Sequence, residues 1–250
     1  MAKDAYRLLA GLYDRLVEPA AAALRRQGLK VVPPEENLAI LDVGCGTGTQ
    51  LLLYRRPGCK LTGVDLSPAM VMRARAKLGN DAEIRCEDAA HLSFAAASFD
   101  LVMVVTVLHE LPPALRSAVV EESARVLKPD GRMLLMDYHT GPYPFPSGWL
   151  WKSAITCLEI LAGPVHFGRY RDFLAHGGLD GLLRPLHLPI VTRLVPPSGT
   201  AAVHVLNPRP VAPPMLPDPP RRRQPRGTTA ATTPARASTA RSKAASGQAP

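Results

Sequence analysis

One short stretch constrains the fold of this chain more than any other: an apolar run that passes directly into a glycine-rich turn. The run is Leu38–Val43, the turn Gly44–Gly48 reads GCGTG, and a helix is predicted to begin near Thr49. Glycine allows turn geometries and close ligand approach, and the free N–H groups at the start of a helix attract an anion. The stretch therefore predicts a strand, a ligand-binding turn and a helix in succession.

The remaining apolar runs alternate with helical patterns along the chain. Most are continuous rather than alternating, which is typical of strands covered on both faces of a parallel sheet. Two runs near the end are joined by the residues PPSG at 196–199 and predict a hairpin in which one strand runs against the rest. The predicted fold class is α/β: a doubly wound, mostly parallel seven-stranded sheet, Rossmann-like, with N-terminal helices and a disordered C-terminal tail. The six runs after the first are Leu61–Asp65, Ile84–Asp88, Leu101–Leu108, Met133–Tyr138, Leu188–Val195 and Thr200–Leu206.

Helix signals and composition divide the chain into three parts. Leucines spaced four apart mark an amphipathic helix over Lys3–Glu18, which Pro19 ends, and an alanine-rich second helix runs to Gly28. Later helices are predicted from Ser67 to Leu78, from Pro112 to 128–131 and between Pro146 and Arg184. The parts are N-terminal cap helices at 1–34, the main domain at 35–206 and a Pro/Arg/Ala-rich tail at 207–250.

The basic charge of the chain is concentrated in its last part. The formal net charge is +9, of which residues 207–250 account for +7 and residues 1–206 for +2. Because most of the positive charge lies in the tail and not in the folded part, it does not predict a nucleic-acid-binding fold. The tail also has no apolar periodicity, so it is predicted to be disordered. Its Arg221–Arg223 cluster suits RNA, a membrane surface or an acidic partner, but a solvated tail is favoured.

The cysteines and the apolar stretches favour a reduced, cytoplasmic setting. The four cysteines stand 14, 27 and 71 residues apart, so no C-x-x-C pair exists and no metal site is predicted. The N-terminus lacks the long apolar core of a secretory signal. The longest apolar-rich stretch, Trp149–Gly163, contains Lys152 and Glu159 and is shorter than the roughly 20 residues that span a bilayer.

The ligand of the turn is predicted to be a nucleoside. Asp65 ends the second apolar run nineteen residues after Gly46, where doubly wound folds place an acid that receives ribose hydroxyls. The dinucleotide fingerprint G-x-G-x-x-G is excluded because Thr49 and Leu51 stand where its third glycine is needed, and no P-loop motif is present. The alternative is a tight structural turn without a ligand.

Five segments in order resemble the motifs of class I S-adenosylmethionine-dependent methyltransferases. The resemblance spans residues 35–140 and is greatest for the small-molecule branch that includes ubiquinone/menaquinone C-methyltransferases and phospholipid N-methyltransferases (methyltransferase type 11-like). It implies S-adenosylmethionine as the cofactor. The segments are Leu41–Gly48 (LDVGCGTG), Val64–Met70 (VDLSPAM), Glu87–Ala89 (EDA), Phe99–Val102 (FDLV) and Arg125–Arg132 (RVLKPDGR).

The same resemblance implies which residues meet the cofactor. Asp42 would orient the turn and meet the methionine amino group, and Asp65 would accept both ribose hydroxyls. The backbone of the turn would approach the methionine carboxylate and the ribose, while Thr106 would contribute backbone near the sulfonium. The implied cofactor-binding residues are Asp42, Gly44, Cys45, Gly46, Gly48, Asp65, Leu66 (packed on adenine), Asp88 and Ala89 (bonded to the adenine amino group and a ring nitrogen) and Thr106.

Methyl transfer mainly requires alignment of the acceptor and exclusion of water, but an acceptor that loses a proton invites a general base. His109, after the fourth strand, is the preferred base, and Tyr13 of the N-terminal helix is the second choice. Each can instead be a packed or surface residue. Other candidates for the mouth of the site are Glu110, Tyr138, His139, His166 and Tyr170.

The apolar stretch also bears on the acceptor. Trp149–Leu161 is predicted to be either a helix packed on the domain or an interfacial helix that admits a hydrophobic acceptor. The predicted function is methyl transfer to a small molecule, with a quinone precursor or a lipid as hydrophobic candidates, peripheral membrane contact and no stable nucleic-acid partner. One alternative is an RNA methyltransferase that uses the basic tail as an anchor. This chain, however, lacks the Asn/Asp-Pro-Pro-Tyr-type acceptor motif of such enzymes, because Thr106–His109 stands in its place. Another is a non-catalytic protein that binds the cofactor for regulation.

Overall fold

The structure is a computed structural model, and it describes residues 18–207. Tyr13 and the tail from residue 208 onward lie outside this range. So does the predicted helix over Lys3–Glu18, apart from its last residue. The three-part division of the chain therefore remains a prediction.

A seven-stranded sheet forms the centre of the described chain. Its strands are β1 Ala39–Val43, β2 Lys60–Asp65, β3 Ala82–Cys86, β4 Phe99–Val105, β5 Leu127–Tyr138, β6 Ile190–Leu194 and β7 Ala201–Leu206. Their order in the sheet is β3-β2-β1-β4-β5-β7-β6. Neighbours among the first five strands are parallel, whereas β7 is antiparallel to both β5 and β6. The predicted doubly wound, mostly parallel seven-stranded sheet and the hairpin with one reversed strand are confirmed.

Helices cover both faces of this sheet. They are α1 Glu18–Val31, α2 Thr49–Leu53, α3 Pro68–Leu78, α4 Pro113–Val126, α5 Ser147–Leu161, α6 Pro164–Ala175 and α7 Gly178–Leu183. The predicted start of α3 is confirmed, because the Ser67 hydroxyl accepts a hydrogen bond from the Met70 N–H at 3.3 Å and Pro68 follows as the first helical residue.

Successive residues of one strand pack into different cores, which explains the continuous apolar runs. Ile40 packs into a core with residues of α2 and α3, whereas its neighbour Leu41 packs into a second core with residues of α4 and α6. Both side chains are fully buried. Because side chains alternate across a strand, a strand covered on both faces needs apolar residues at every position.

Helix α1 ends at Val31, three residues later than predicted. Gly28 was expected to stop this helix, but it lies inside it. A Cβ atom at Gly28 would stand 2.7 Å from the sulfur of Met136 on β5. Glycine is therefore needed here for close packing of the helix on the sheet rather than for a helix end.

Strand β5 begins at Leu127, six residues before the predicted start. Its pairing with β4 shifts register beyond Phe99, so residues 128–131 are accommodated as an irregularity in the strand rather than as a helix end. The Lys128 ammonium group donates to both oxygens of Asp100, at 2.8 and 2.9 Å, and holds this segment against β4.

Strands β3 and β4 end earlier than predicted. Beyond β3, the Asp88 carboxylate accepts the Ala90 N–H at 2.9 Å, and the chain turns away from the sheet. Beyond β4, Thr106 has a φ of +53°, which an extended strand does not allow. The residues after it form a short 3₁₀ turn, Leu108–Glu110.

The crevice between β1 and β4 is where this topology places a ligand. Strand β1 lies between β2 and β4, so the strand order reverses there, and ligands of open α/β sheets bind outside the carboxyl ends of the strands at such a point. Within the described range, every helix is too short or too polar to cross a bilayer.

Candidate functional site

The glycine turn follows β1 and lies in this crevice. The Gly44 and Cys45 N–H groups donate to the Val64 carbonyl at 2.8 and 2.9 Å, which ties the turn to β2. Gly44 and Gly46 have φ angles of +69° and +53°, in the left-handed region that favours glycine. A Cβ atom at Gly46 would meet no described atom within 4 Å, so this side of the turn faces open space.

The carboxylate of Asp65 is anchored at the edge of that space. Its Oδ2 accepts the Gly46 N–H at 2.9 Å and its Oδ1 accepts the Ser67 N–H at 2.8 Å. Each carboxylate oxygen has further acceptor capacity. Asp65 thus joins the turn to the start of α3 and remains able to accept hydroxyl groups.

Asp42 lies just before the turn and is buried at 2% exposure. Burial raises the pKa of its carboxyl to about 7, although the Arg25 guanidinium opposes the shift. Its Oδ2 has no hydrogen-bond partner among the described residues. Because a buried polar atom usually has a partner, this oxygen fits a cationic ligand group such as an amino-acid ammonium.

The predicted adenine-binding residues stand at the ends of β2 and β3. Leu66 is 70% exposed, so its side chain is accessible to a ligand. The Glu87 N–H donates to the Asp65 carbonyl at 3.1 Å and holds the segment containing Asp88 and Ala89 beside β2. These residues follow the carboxyl ends of β2 and β3, next to the turn that follows β1.

Two further side chains lie at the turn, those of Cys45 and Lys77. The Cys45 side chain points into the core, where a Cβ atom on Gly63 would stand 2.9 Å from its sulfur. Burial raises the pKa of this thiol, so only the backbone of Cys45 is available to a ligand. Lys77 was not predicted, yet its ammonium group donates to the hydroxyls of Thr47 and Thr49 at 2.9 and 2.6 Å. It adds positive charge to the turn from a position thirty residues away in sequence.

Thr106 is held in a strained backbone conformation at the end of β4. Its N–H donates to the Met136 carbonyl at 2.7 Å, and its hydroxyl donates to the Val105 carbonyl at 2.8 Å. A β-branched residue at positive φ is an outlier, and such strain costs about 1–3 kcal/mol. Strain of this kind persists where the surrounding structure fixes the residue, often at a ligand site.

Replacing Thr106 by Asn is expected to raise the free energy of unfolding by about 1 kcal/mol, because Asn adopts positive φ more readily than a β-branched residue. Chemical denaturation measures the change. The control is Thr192→Asn on β6, at an exposed residue without positive φ, where Asn should give no gain. A loss of stability at Thr106 as large as that at Thr192 would show that the position is unstrained.

A cavity of about 360 Å³ has Thr106 in its wall. Most of the wall is apolar and comes from α1, α5 and the link between β6 and β7, including Leu24, Trp151, Ile155, Leu158, Leu161, Pro196 and Pro197. Five polar residues of the wall gather at one place, which we call the acid–histidine cluster: His109, Glu110, Tyr138, Glu159 and His166.

His109 is the centre of this cluster and is buried at 3% exposure. Its Nδ1 lies 2.8 Å from Asp137 Oδ1, and its Nε2 lies 3.6 Å from Glu159 Oε1 and 4.0 Å from Glu110 Oε1. Burial disfavours the charged ring, but the three carboxylates, Asp137 most strongly, raise the pKa of His109 to about 9. The fully buried Asp137 also accepts the Leu108 N–H at 2.9 Å, which fixes the turn that carries His109.

Glu159 connects the cluster to α5. The Tyr138 hydroxyl donates to its Oε1 at 2.7 Å, and His166 Nε2 lies 2.7 Å from its Oε2. Burial alone would raise the pKa of the Glu159 carboxyl, but His166, His109 and Tyr138 hold it below its usual value. Sequence reasoning missed the roles of Glu159 and Asp137 because neither stands in a motif.

Two of the further candidates do not line the cavity. His139 follows Tyr138 and therefore points to the other side of the strand, where its Nε2 lies 3.1 Å from Asp180 Oδ2. The Tyr170 hydroxyl instead accepts a hydrogen bond from the Lys152 ammonium group at 2.6 Å. The structure thus brings Glu110, Tyr138 and His166 to His109 but leaves His139 and Tyr170 outside the wall.

Comparisons with known proteins agree with this geometry. A family model described as "Methyltransferase domain" matches residues 41–135. Nocamycin O-methyltransferase of Saccharothrix syringae is 33% identical over 177 residues, which cover 67% of this chain and 57% of that protein. The 27-O-demethylrifamycin SV methyltransferase of Amycolatopsis mediterranei is 30% identical over 192 residues, covering 74% of this chain and 68% of that protein.

A solved structure extends the likeness to the whole sheet. A SAM-dependent methyltransferase from Aquifex aeolicus matches with a TM-score of 0.54 at 17% identity, covering 79% of this chain and 97% of that one. At this identity the match shows the fold alone. The chain also spans only 57% of the length of the nocamycin enzyme.

Proposed function

Because the chain belongs to the class I S-adenosylmethionine-dependent methyltransferases, we propose that it transfers a methyl group from S-adenosylmethionine to a hydroxyl group of an apolar small molecule. The observation that carries this proposal is the contact between the glycine turn and the segment after β4. A Cβ atom at Gly44 would stand 2.4 Å from Val107, which lies between Thr106 and His109 of the cavity wall. A ligand on the turn and a ligand in the cavity are therefore neighbours.

The residues of the crevice suit the cofactor. The unpartnered Asp42 oxygen would take the methionine ammonium group, and Asp65 would accept the ribose hydroxyls. The backbone of Gly44, Cys45, Gly46 and Gly48 would approach the methionine end, Leu66, Asp88 and Ala89 would bind adenine, and Thr106 would lie nearest the sulfonium. When bound, S-adenosylmethionine supplies an activated methyl group: its carbon–sulfur bond breaks as the carbon–oxygen bond forms, and the electron pair stays on sulfur.

The acceptor hydroxyl must lose its proton, and we propose that Nε2 of the neutral His109 ring receives it, so that transfer becomes faster as the pH rises towards the pKa of about 9. Asp137 holds the other ring nitrogen at 2.8 Å, so Nε2 is the nitrogen directed at the cavity. A base positioned in this way contributes about 10²–10⁴-fold to the rate of a proton-coupled step. The two relatives described above support a hydroxyl acceptor, since one is named an O-methyltransferase and the other acts, by its name, on 27-O-demethylrifamycin SV.

An apolar acceptor follows from helix α5, which is apolar on both sides. Its inner side chains Trp151, Ile155 and Leu158 line the cavity. Its outer face carries the exposed residues Leu150, Ala154, Cys157 and Leu161 at helical spacing, which we call the outer stripe, and Leu161 at its end also borders the cavity. Surface helices normally present polar residues to water. We propose that the outer stripe contacts a lipid surface from which an acceptor such as a quinone precursor or a lipid enters the cavity.

Two measurements test the methyl transfer. Calorimetry with S-adenosylhomocysteine, the demethylated product, is expected to show saturable binding. Transfer of radiolabelled methyl groups is expected with at least one member of a panel of alkyl-substituted hydroquinones, polycyclic phenols and long-chain alcohols. Absence of S-adenosylhomocysteine binding overturns the proposed methyl transfer. Binding without transfer to any member favours a regulatory protein that only binds the cofactor.

Replacing Leu150 and Leu161 together by Asp is expected to weaken binding to phosphatidylglycerol-containing vesicles by at least about tenfold. Each leucine that enters an apolar phase is worth about 1.5–3 kcal/mol. Co-sedimentation measures the bound fraction. The control is Val191→Asp on β6, which changes an exposed apolar residue outside α5. Equal losses in both variants, or none in either, would remove the outer stripe as the lipid contact.

A further inference from the structure

The acid–histidine cluster contains three side chains that can bind one transition-metal ion together. His109, Glu159 and His166 each offer one ligand atom, and these atoms lie within 4.8 Å of one another. Two imidazoles and one carboxylate, with a further position left open, form the ligand set of several catalytic zinc sites. Sequence spacing gave no sign of this set, because 50 residues separate His109 from Glu159.

The distances are close to those of a metal site. Metal–ligand bonds of about 2.0–2.2 Å in a tetrahedral site place neighbouring ligand atoms about 3.4 Å apart. His109 Nε2 and Glu159 Oε1 are 3.6 Å apart. His166 Nε2 and Glu159 Oε2 are 2.7 Å apart, so that contact has to open slightly to admit an ion between its partners.

The surroundings of His109 match those of a ligating histidine. Such a histidine almost always donates its other ring N–H to a carboxylate or carbonyl, which fixes the ring and leaves the second nitrogen for the metal. Here Asp137 Oδ1 lies 2.8 Å from Nδ1, and Asp137 is itself fully buried and fixed by the Leu108 N–H. Nε2 therefore faces Glu159 and the cavity in a defined orientation.

The residues also restrict the kind of ion. Imidazole nitrogen suits Zn²⁺ and related transition metals, whereas Mg²⁺ prefers oxygen ligands and retains its water. All three residues line the cavity, so an ion held by them would have an open position facing the acceptor. The surrounding apolar wall would limit the entry of water to that position.

We propose that His109, Glu159 and His166 bind one divalent transition-metal ion of the Zn²⁺ type, with its open position directed into the acceptor cavity. The binding of the ion does not depend on the proposed function. The role of the ion in activating the acceptor does rest on the proposed methyl transfer. An acceptor hydroxyl coordinated there would exchange its O–H bond for a metal–oxygen bond, and the oxygen would keep the electron pair needed to take the methyl group. With the ion bound, Nε2 would be a ligand and would not take the proton, so the base role of His109 belongs to the metal-free protein and the released proton would pass to a water molecule.

The test uses the full chain after removal of metal with EDTA. Calorimetry with Zn²⁺ is expected to show one saturable site, and Co²⁺ to give the visible absorption of a four- or five-coordinate ion. His166→Gln and Glu159→Gln are each expected to weaken Zn²⁺ binding by more than about 100-fold, since loss of a mere hydrogen-bond partner of a ligand costs about 10–100-fold. His187→Gln, at an exposed histidine outside the cavity, should bind as the unchanged chain does.

Absence of saturable Zn²⁺ binding to the unchanged chain overturns the proposal, as does full binding by either cluster variant. Binding of S-adenosylhomocysteine is measured on the same samples. If the cluster variants bind this nucleoside normally but have lost Zn²⁺, the result supports the metal site and shows that the proteins are folded. If the unchanged chain binds the nucleoside but not Zn²⁺, the metal site fails while the proposed methyl transfer stands.

Discussion

Replacing His109 by Gln is expected to lower kcat for methyl transfer by about 10²–10⁴-fold, the range that a positioned acid–base group contributes. Gln keeps a polar side chain of similar length but offers no nitrogen that accepts a proton. Affinity for S-adenosylhomocysteine should be unchanged, because His109 belongs to the acceptor cavity and not to the crevice of Asp42 and Asp65. Rates at saturating donor, with the best acceptor of the panel, measure the effect.

The control for His109 is His204→Gln, which changes a second buried histidine, on β7 and outside the cavity wall. A comparable fall in kcat in both variants would indicate a general loss of structure. Partial recovery of His109→Gln by added imidazole would support a role as proton acceptor. Retention of the original kcat by His109→Gln would remove this residue from the proposed chemistry.

The second large effect is expected at Asp65. Its replacement by Ala should weaken binding of S-adenosylmethionine by about 1–3 kcal/mol, which is about one to two orders of magnitude in Kd. The change removes an acceptor for the ribose hydroxyls and leaves the Gly46 N–H without its 2.9 Å partner. Isothermal calorimetry with the cofactor or its demethylated product measures the loss.

Asp130→Ala is the matched control for Asp65, because Asp130 is an exposed carboxylate within β5, a strand that does not form the crevice. It should bind the nucleoside with unchanged affinity. Unchanged affinity in Asp65→Ala would contradict the role given to that carboxylate. Asp65→Asn refines the result, since an amide oxygen still accepts hydrogen bonds but carries no charge.

The parts of the site that could be predicted lie close to strand ends in the sequence. Asp42 and the glycine turn are contiguous, and Asp65 follows at the end of the next strand. Because the carboxyl ends of neighbouring parallel strands meet at one edge of a sheet, order along the chain was enough to bring these residues together. The continuous apolar runs predicted the sheet itself for the same reason, since each strand is covered on both faces.

The acceptor side could not be predicted in this way. Asp137 contacts His109 because β4 and β5 are paired, and Glu159 reaches them because α5 packs on α6 and brings this carboxylate against Tyr138 and His109. Nothing in the local sequence specifies the angle at which that helix packs. Tyr138 and His139 illustrate the same limit, since the pleat of β5 decides which of two adjacent candidates faces the cavity.

The bond between Asp65 and Gly46 has a consequence for the kinetics of nucleoside capture. The bond joins two groups of the protein itself, so the entropy of immobilising that loop is lost during folding and not on association. A preorganised receptor of this kind should associate at a rate set by diffusion and orientation, without a slow isomerisation step. Differences in affinity among bound nucleosides should accordingly be found in how fast they leave.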